Sequence, residues 1–114
     1  MFNIDTVMEQ LDQGNMFEVA DRSYEYVKIP HEKRLMVFSF YSAHVGAIDR
    51  GDFSFFGFDG NFKKIQSIVE TCLKCDGVLL NTKKKHWDDH PSDFMPVMMA
   101  SFIHFSKPFF LESE

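Results

Sequence analysis

The sequence has too few cysteines and too few long apolar runs for several classes of protein. Two cysteines in 114 residues cannot build a disulfide scaffold. The longest apolar stretches, 35–41 and 97–105, are interrupted by serine and histidine, whereas a membrane helix needs about 20 consecutive apolar residues. The chain opens without a basic segment followed by an apolar one, which predicts no signal peptide. We therefore expect a cytoplasmic protein without a membrane span.

Arginine is also scarce, and the excess charge is negative. The chain has three arginines, and its 12 basic and 17 acidic residues give a net charge of −5. Six of its lysines fall within 61–85, so the two ends of the chain are acidic. Proteins that bind nucleic acid usually carry an arginine-rich basic face. The composition predicts no nucleic-acid partner and favours a basic protein partner, because opposite charges steer association.

Phenylalanine is the residue in clearest excess. The chain has 14 phenylalanines, and each aromatic ring buries roughly 150–250 Å². A length of 114 residues predicts one domain, 1–114, with a single core. The core of one domain does not need 14 rings, so we expect some at a partner-binding surface. The same excess, with Met98 and Met99, also suits the face of a homodimer.

Two segments have the periodicity of amphipathic helices. The first has apolar residues at helical spacing: Ile4, Val7, Met8 and Leu11. The second keeps that spacing for three turns from Phe62 to Leu73, where Asn61 is placed to cap the start and Gly77 to follow the end. The spacing therefore predicts two helices that each bury one face.

Other segments are rich in residues that favour strands. They are 17–29, 35–42, 53–58, 78–80 and 97–106. Asp49–Asp52 has the composition of a hairpin turn. A helix beginning at Pro30 is the alternative for 35–42, and 97–106 also fits helical spacing, although Pro96 and Pro108 favour a strand there. These elements predict an α+β fold, a mainly antiparallel sheet covered on one face by two helices.

One spacing resembles a set of zinc ligands. Cys72, Cys75, His86 and His90 combine thiolate and imidazole groups, the donors that a structural zinc ion prefers. Both cysteines, however, fall at the end of the second predicted helix, where a zinc finger would have a hairpin. A redox role is also disfavoured, because reactive Cys-x-x-Cys pairs lie at a helix N-terminus. We predict no metal and no cofactor, and keep a zinc-stabilised Cys2His2 module as an alternative.

The segment 81–96 is the longest predicted loop, and it holds the densest group of polar residues. Long loops in compact domains are usually functional. Trp87 stands beside Asp88 and Asp89, and tryptophan is enriched among the residues that dominate protein interfaces. A small metal-dependent hydrolase using His86, Asp88, Asp89 and His90 is a second alternative.

These observations favour a non-enzymatic binding module that neutralises a basic protein, of the inhibitor or immunity type for a toxin or nuclease. The chain is short and acidic, and it lacks the glycine-rich phosphate loop and the nucleophile elbow of common enzymes. The candidate partner-binding residues are Trp87, Asp88, Asp89, Asp93, Phe55, Phe58, Glu112 and Glu114.

Overall fold

A computed structural model describes residues 4–58 and 60–109 of the chain. Its helices are α1 (Ile4–Asp12), α2 (His31–Asp49), α3 (Phe55–Phe58), α4 (Asn61–Thr71), α5 (His86–Asp89) and α6 (Phe94–Ser106). Its strands are β1 (Met16–Val19), β2 (Arg22–Tyr26), β3 (Leu73–Cys75) and β4 (Val78–Leu79). The α+β class is confirmed, with six α-helices in the described part where two were expected.

The four strands form one antiparallel sheet in the order β1-β2-β3-β4. Strand residues alternate between its two faces. One face is buried and carries Phe17, Val19, Tyr24, Tyr26, Leu73 and Cys75. The other face carries the exposed carboxylates of Glu18 and Glu25. The segment 17–29 was expected to be extended, and it supplies most of β1 and all of β2.

Helix α6 lies at the centre of the helical layer, where it contacts α1, α2 and α4. Residues 97–106 were expected to form a strand, and that expectation is wrong. Val97 and Met98 are both buried, as are Ala100, Ser101 and Phe102. Because consecutive residues point in different directions around a helix, α6 is buried on several sides, as a core helix is. Pro96 is accommodated because it lies in the first turn, where backbone N–H groups have no partner within the helix.

Helix α2 replaces the strand expected at 35–42. The alternative, a helix beginning at Pro30, is correct: Pro30 is the N-cap, and its carbonyl accepts the N–H groups of Lys33 and Arg34. The side chains of Lys33 and Arg34 tie α2 to its neighbours. Lys33 Nζ donates to Thr71 Oγ1 at 3.0 Å, and Arg34 Nη1 donates to the carbonyl of His104 at 3.1 Å. This segment also lacks the alternation of apolar and polar residues that a half-buried strand would show, because α2 is apolar on nearly every side.

The expected hairpin at 49–58 is also wrong. Residues 50–52 do turn the chain, with Gly51 at φ +74°, but they join helices. The segment 53–58 contains the short helix α3, and Phe55 is buried against Phe40. Aromatic residues favour strands only when a sheet is present to receive them, since packing decides that preference.

Helix α4 and strand β4 were predicted correctly in position, but the end of α4 was not. Its N-cap is Gly60 and not Asn61, and its C-cap is Cys72. Gly77 was expected to follow the helix. Instead Asp76 and Gly77, at φ +50° and φ +88°, form the two-residue turn between β3 and β4, because an Asp-Gly pair accepts the positive φ angles of a tight hairpin. Residues 81–96 are a series of short helical turns that includes α5.

Candidate functional site

A buried polar network joins the start of β2 to the segment 86–93. Arg22 donates two hydrogen bonds to Asp93, from Nε to Oδ2 at 2.5 Å and from Nη2 to Oδ1 at 2.9 Å. The Tyr24 hydroxyl donates to Asp93 Oδ2 at 2.6 Å and lies 2.9 Å from His86 Nε2. We call these four residues the Asp93 network. Asp93 is only 1% exposed and His86 only 4%, whereas Arg22 is half-buried, so the network lies in the interior and reaches the surface at Arg22.

The charges of the network are fixed by its hydrogen bonds. Burial alone would raise the pKa of Asp93, but the hydrogen bonds from Arg22 and Tyr24 outweigh it and hold that pKa below its ordinary value. The same hydrogen bond to Asp93 raises the pKa of Arg22. Burial, and then the hydrogen bond to Asp93, raises the pKa of Tyr24 well above that of a free phenol. At neutral pH Arg22 and Asp93 are therefore both ionised, and Tyr24 is neutral.

The direction of the hydrogen bonds sets the tautomer of His86. A tyrosine hydroxyl has one proton, and that proton goes to Asp93. The hydroxyl oxygen must therefore accept from His86 Nε2–H, which leaves Nδ1 as the unprotonated nitrogen. This Nδ1 is buried and has no hydrogen-bond partner. Burial and the nearby charge of Lys83 lower the pKa of His86, which keeps the ring neutral.

The network anchors helix α5, the single turn that carries Trp87, Asp88 and Asp89. On one side of the turn, His86 reaches into the network. On the other, Trp87 Nε1 donates to Glu70 Oε2 of α4 at 2.8 Å, and the indole meets the ring of Phe94 edge-on at 5.2 Å between centroids. The carboxylates of Asp88 and Asp89 lie on the same turn and are exposed. The turn thus presents two acidic side chains on a backbone that is held in place on both sides.

The surroundings of α5 carry both signs of charge. A pocket of about 350 Å³ lies beside it and is lined by Lys83, Lys84, Lys85, His86, Asp89 and His90. The two hairpin turns at the near end of the sheet carry further exposed acids, Asp21 and Asp76. Asp76 Oδ1 accepts the N–H of Ser23 at 3.0 Å, next to the arginine of the network. The lining of the pocket itself combines the carboxylate of Asp89 with the three lysines.

The structure brings only part of the expected partner-binding set to one surface. Trp87, Asp88 and Asp89 lie together on α5. Asp93 does not present its carboxylate to a partner, because Arg22 and Tyr24 occupy it inside the protein. Phe55 is also buried, in contact with Phe40 and His44. The side chain of Phe58 and residues Glu112 and Glu114 lie outside the part of the chain that the structure describes.

The four residues of the alternative zinc site are divided between different surroundings. Cys72 caps the end of α4, and Cys75 lies on the buried face of β3 beside Tyr24. Burial raises the pKa of the Cys75 thiol, which opposes the thiolate form that zinc requires. His86 and His90 are neighbours, with ring centroids 5.1 Å apart. Within residues 4–58 and 60–109, no three histidine, cysteine or acidic side chains are grouped as metal ligands.

A second surface feature lies between α2 and α4. It is an apolar groove of about 550 Å³, lined by Leu35, Met36, Ser39, Phe40, Ala43, His44, Asn61, Lys64 and Ile65. Leu35 and Met36 are 45% and 48% exposed, which is unusual for large apolar side chains. Across the described helices, none is both long and apolar enough to span a bilayer.

The residues that sequence reasoning missed are those that support α5. Arg22, Tyr24 and Glu70 lie 17 or more positions away from the residues they hold. Their roles depend on the antiparallel alignment of β2 and on the packing of α4 beside α5. The one available signal in the sequence was the alternation of Tyr24 and Tyr26 with Glu25, which is expected when the tyrosines lie on the buried face of a strand.

Comparison of the chain with protein-family models, with curated proteins and with solved structures found no match.

Proposed function

We propose that this protein is a binding module that neutralises a basic protein, such as a toxin or nuclease, through the surface around α5. The observation that carries the proposal is the exposed pair Asp88 and Asp89 on a helical turn anchored at both flanks. His86 holds one flank through Tyr24, and Trp87 holds the other through Glu70.

Anchoring matters because binding orders side chains and loops at an entropic cost. Each rotamer-rich side chain immobilised at an interface costs about 0.5–1.5 kcal/mol. Ordering a loop backbone adds to this cost. A turn whose backbone is already held by the Asp93 network avoids that addition. Trp87 adds a half-buried aromatic surface beside the acids, and tryptophan is among the residues that contribute most at interfaces.

Charge supports a basic partner. The chain has a net charge of −5, and Asp21, Asp76, Asp88 and Asp89 are all exposed in the region of α5 and the adjoining sheet turns. Lys83, Lys84 and Lys85 interrupt this acidic surface. We therefore expect a partner whose basic contact face also offers an acidic group to these lysines. Such mixed complementarity selects the register of a complex and suppresses wrong partners.

The test is affinity capture from the cells that encode the protein, at low and at high salt, with mass identification of what is retained. The wild type is compared with the Asp88→Lys, Asp89→Lys double variant. The matched control is Glu9→Lys with Glu18→Lys, which makes the same change in charge at two exposed acids away from α5. Circular dichroism checks that both variants fold.

The proposal expects one basic protein that the wild type and the control retain at low salt and the α5 variant loses. Added wild-type protein should also inhibit the activity of that partner once purified. Retention of the partner by the α5 variant would contradict the proposal, as would a retained partner that is acidic or retention of no protein.

A further inference from the structure

Helix α2 has an exposed face that is unusual for a surface helix. Between Lys33 and Arg34 at its start and Asp49 at its end, the stretch 35–48 contains no aspartate, glutamate, lysine or arginine. Leu35 and Met36 are about half exposed, and Ser39, Ala43 and Gly46 are also exposed. A helix that is apolar on all sides is normally buried on all sides. In the part of the chain that the structure describes, this face is left exposed.

The exposed residues of this face follow a regular seam. Glu32, Met36, Ser39, Ala43, Gly46 and Arg50 are separated by alternating steps of four and three residues. All six are exposed. This 4-3 spacing places side chains in one line along a helix, and it is the spacing along which two helices pack as a coiled coil. We call this line the α2 seam.

The α2 seam is complementary to itself when a second copy runs antiparallel. With the two-fold axis at the level of residue 41, Met36 of one copy faces Gly46 of the other. Ser39 then faces Ala43, so the centre is formed by small side chains that allow close approach. A large side chain opposite a small one is the arrangement that fills a helix interface.

Charge at the ends of the α2 seam matches the same alignment. In the antiparallel pair Glu32 of each copy lies opposite Arg50 of the other, which gives an opposite-charge pair at both ends. A parallel pair would place Glu32 against Glu32 and Arg50 against Arg50. Only the antiparallel register joins unlike charges, and such pairs fix the partner and orientation in helix dimers.

We propose that the α2 seam docks a second copy of this chain in an antiparallel, two-fold symmetric dimer. From Glu32 to Arg50 the seam makes 18 residue-to-residue steps, which gives about 27 Å at 1.5 Å per residue. Met36, Ser39 and Ala43 of the seam also line the α2–α4 groove, whose further lining residues, among them Leu35, add apolar surface to the interface. One helix pair is a small interface, so we expect a dimer that dissociates on dilution, with a dissociation constant on the order of micromolar.

The test is sedimentation velocity of the full chain from about 10 nM to about 1 mM, a range that extends well below and well above that constant. The wild type should shift from 13.3 kDa to twice that mass as its concentration rises. Ser39→Glu should weaken the dimer by about a hundredfold or more, because it places two like charges at the centre. The matched control, Ser67→Glu on the exposed part of α4, has the same change in charge and should dimerise as the wild type does.

Charge exchange tests the register. Glu32→Arg alone and Arg50→Glu alone each place like charges together and should weaken the dimer. The double variant restores unlike pairs and should recover it. A wild type that stays at 13.3 kDa throughout would overturn the proposal. A dimer indifferent to Ser39→Glu would overturn it too, and so would a double variant that fails to recover.

The dimer and the proposed binding of a basic protein rest on different surfaces. Asp88→Lys with Asp89→Lys should leave dimerisation unchanged, because α5 is not part of the α2 seam. Failure of one proposal is therefore distinguishable from failure of the other.

Discussion

The Tyr24 hydroxyl lies 2.6 Å from Asp93 Oδ2, although 69 positions separate the two residues in the chain. This hydrogen bond joins the sheet to the segment that carries α5. It also consumes the only proton of the hydroxyl, so the same oxygen must accept from His86. The position of the exposed Asp88 and Asp89 therefore depends on a tyrosine in the buried face of β2.

Tyr24→Phe should destabilise the protein by about 1–3 kcal/mol, because it removes a donor to Asp93 and an acceptor for His86 inside the core. Tyr26→Phe is a useful comparison, since the Tyr26 hydroxyl meets Ser101 and not the Asp93 network. Urea unfolding measures both variants. The proteolysis rate near α5 should rise for Tyr24→Phe alone, and equal rates in the two variants would contradict the anchoring role of Tyr24.

Arg22→Ala should destabilise the protein most at neutral pH. Without the arginine, burial would raise the pKa of Asp93, so the folded state would oppose its ionisation. The unfolding free energy of the variant should approach that of the wild type as pH falls below about 4, where the unfolded carboxyl is also protonated. Urea unfolding from pH 7 to pH 3 measures the difference. A difference that stays constant with pH would show that Asp93 is not held by Arg22.

His104 should make the protein sensitive to mild acid. Burial, with the charges of Arg34 and Lys107, lowers the pKa of His104 to about 4, whereas an unfolded histidine titrates near 6.5. Between these values the unfolded state binds the additional proton, so stability falls as pH falls from about 6.5 to about 4.

His104→Phe should reduce that fall by about 1–2 kcal/mol, because the ring is partly exposed and solvent screens part of the effect. Phenylalanine preserves the stacking on Tyr26, whose ring centroid lies 4.4 Å away. Unfolding curves at pH 6.5 and pH 4 measure the effect. An unchanged fall in stability would mean that His104 does not carry this proton.

Tyr26 and Ser101 should behave as a coupled pair. Their hydroxyl oxygens are 2.7 Å apart in the core, and Ser101 Oγ also donates a hydrogen bond to the carbonyl of Val97. Ser101→Ala leaves the Tyr26 hydroxyl buried without a partner, at a cost of about 1–3 kcal/mol. The double variant with Tyr26→Phe should cost less than the sum of the two single variants. Strict additivity in urea unfolding would contradict the hydrogen bond.

Trp87 is the only tryptophan in the chain, so its fluorescence reports directly on α5. Glu70→Leu removes the acceptor of its indole N–H and should shift the emission to longer wavelength as the ring loosens. Glu70→Gln keeps an acceptor and should leave the emission near that of the wild type. Identical spectra for all three proteins would show that Glu70 does not position Trp87.

The sequence was sufficient to predict the elements with a clear period. Helices α1 and α4 and strand β2 each bury one face, and their apolar spacing shows it. Helices α2 and α6 were misassigned because they are apolar on several sides, so neither period dominates. Pro96 added to the error, since a proline in the first turn of a helix costs little.

The candidate site was only partly predictable for a different reason. Asp88 and Asp89 are recognisable because they stand beside a tryptophan in a polar segment. Asp93 has the same appearance in the sequence, yet it is the most deeply buried of the three. Its burial depends on Arg22, a distant residue whose alignment no local pattern encodes. Whether an acidic residue is exposed thus depends on the tertiary fold and not on the local sequence.

The central claim is that Asp88 and Asp89 on α5 bind a basic protein. Its most direct test is calorimetric titration of the captured, purified partner into wild type, the Asp88→Lys, Asp89→Lys variant and the Glu9→Lys, Glu18→Lys control. We expect the α5 variant to bind at least about a hundredfold more weakly, which corresponds to about 2.7 kcal/mol. The control should bind within a few-fold of wild type. Equal affinities for the wild type and the α5 variant would contradict the claim.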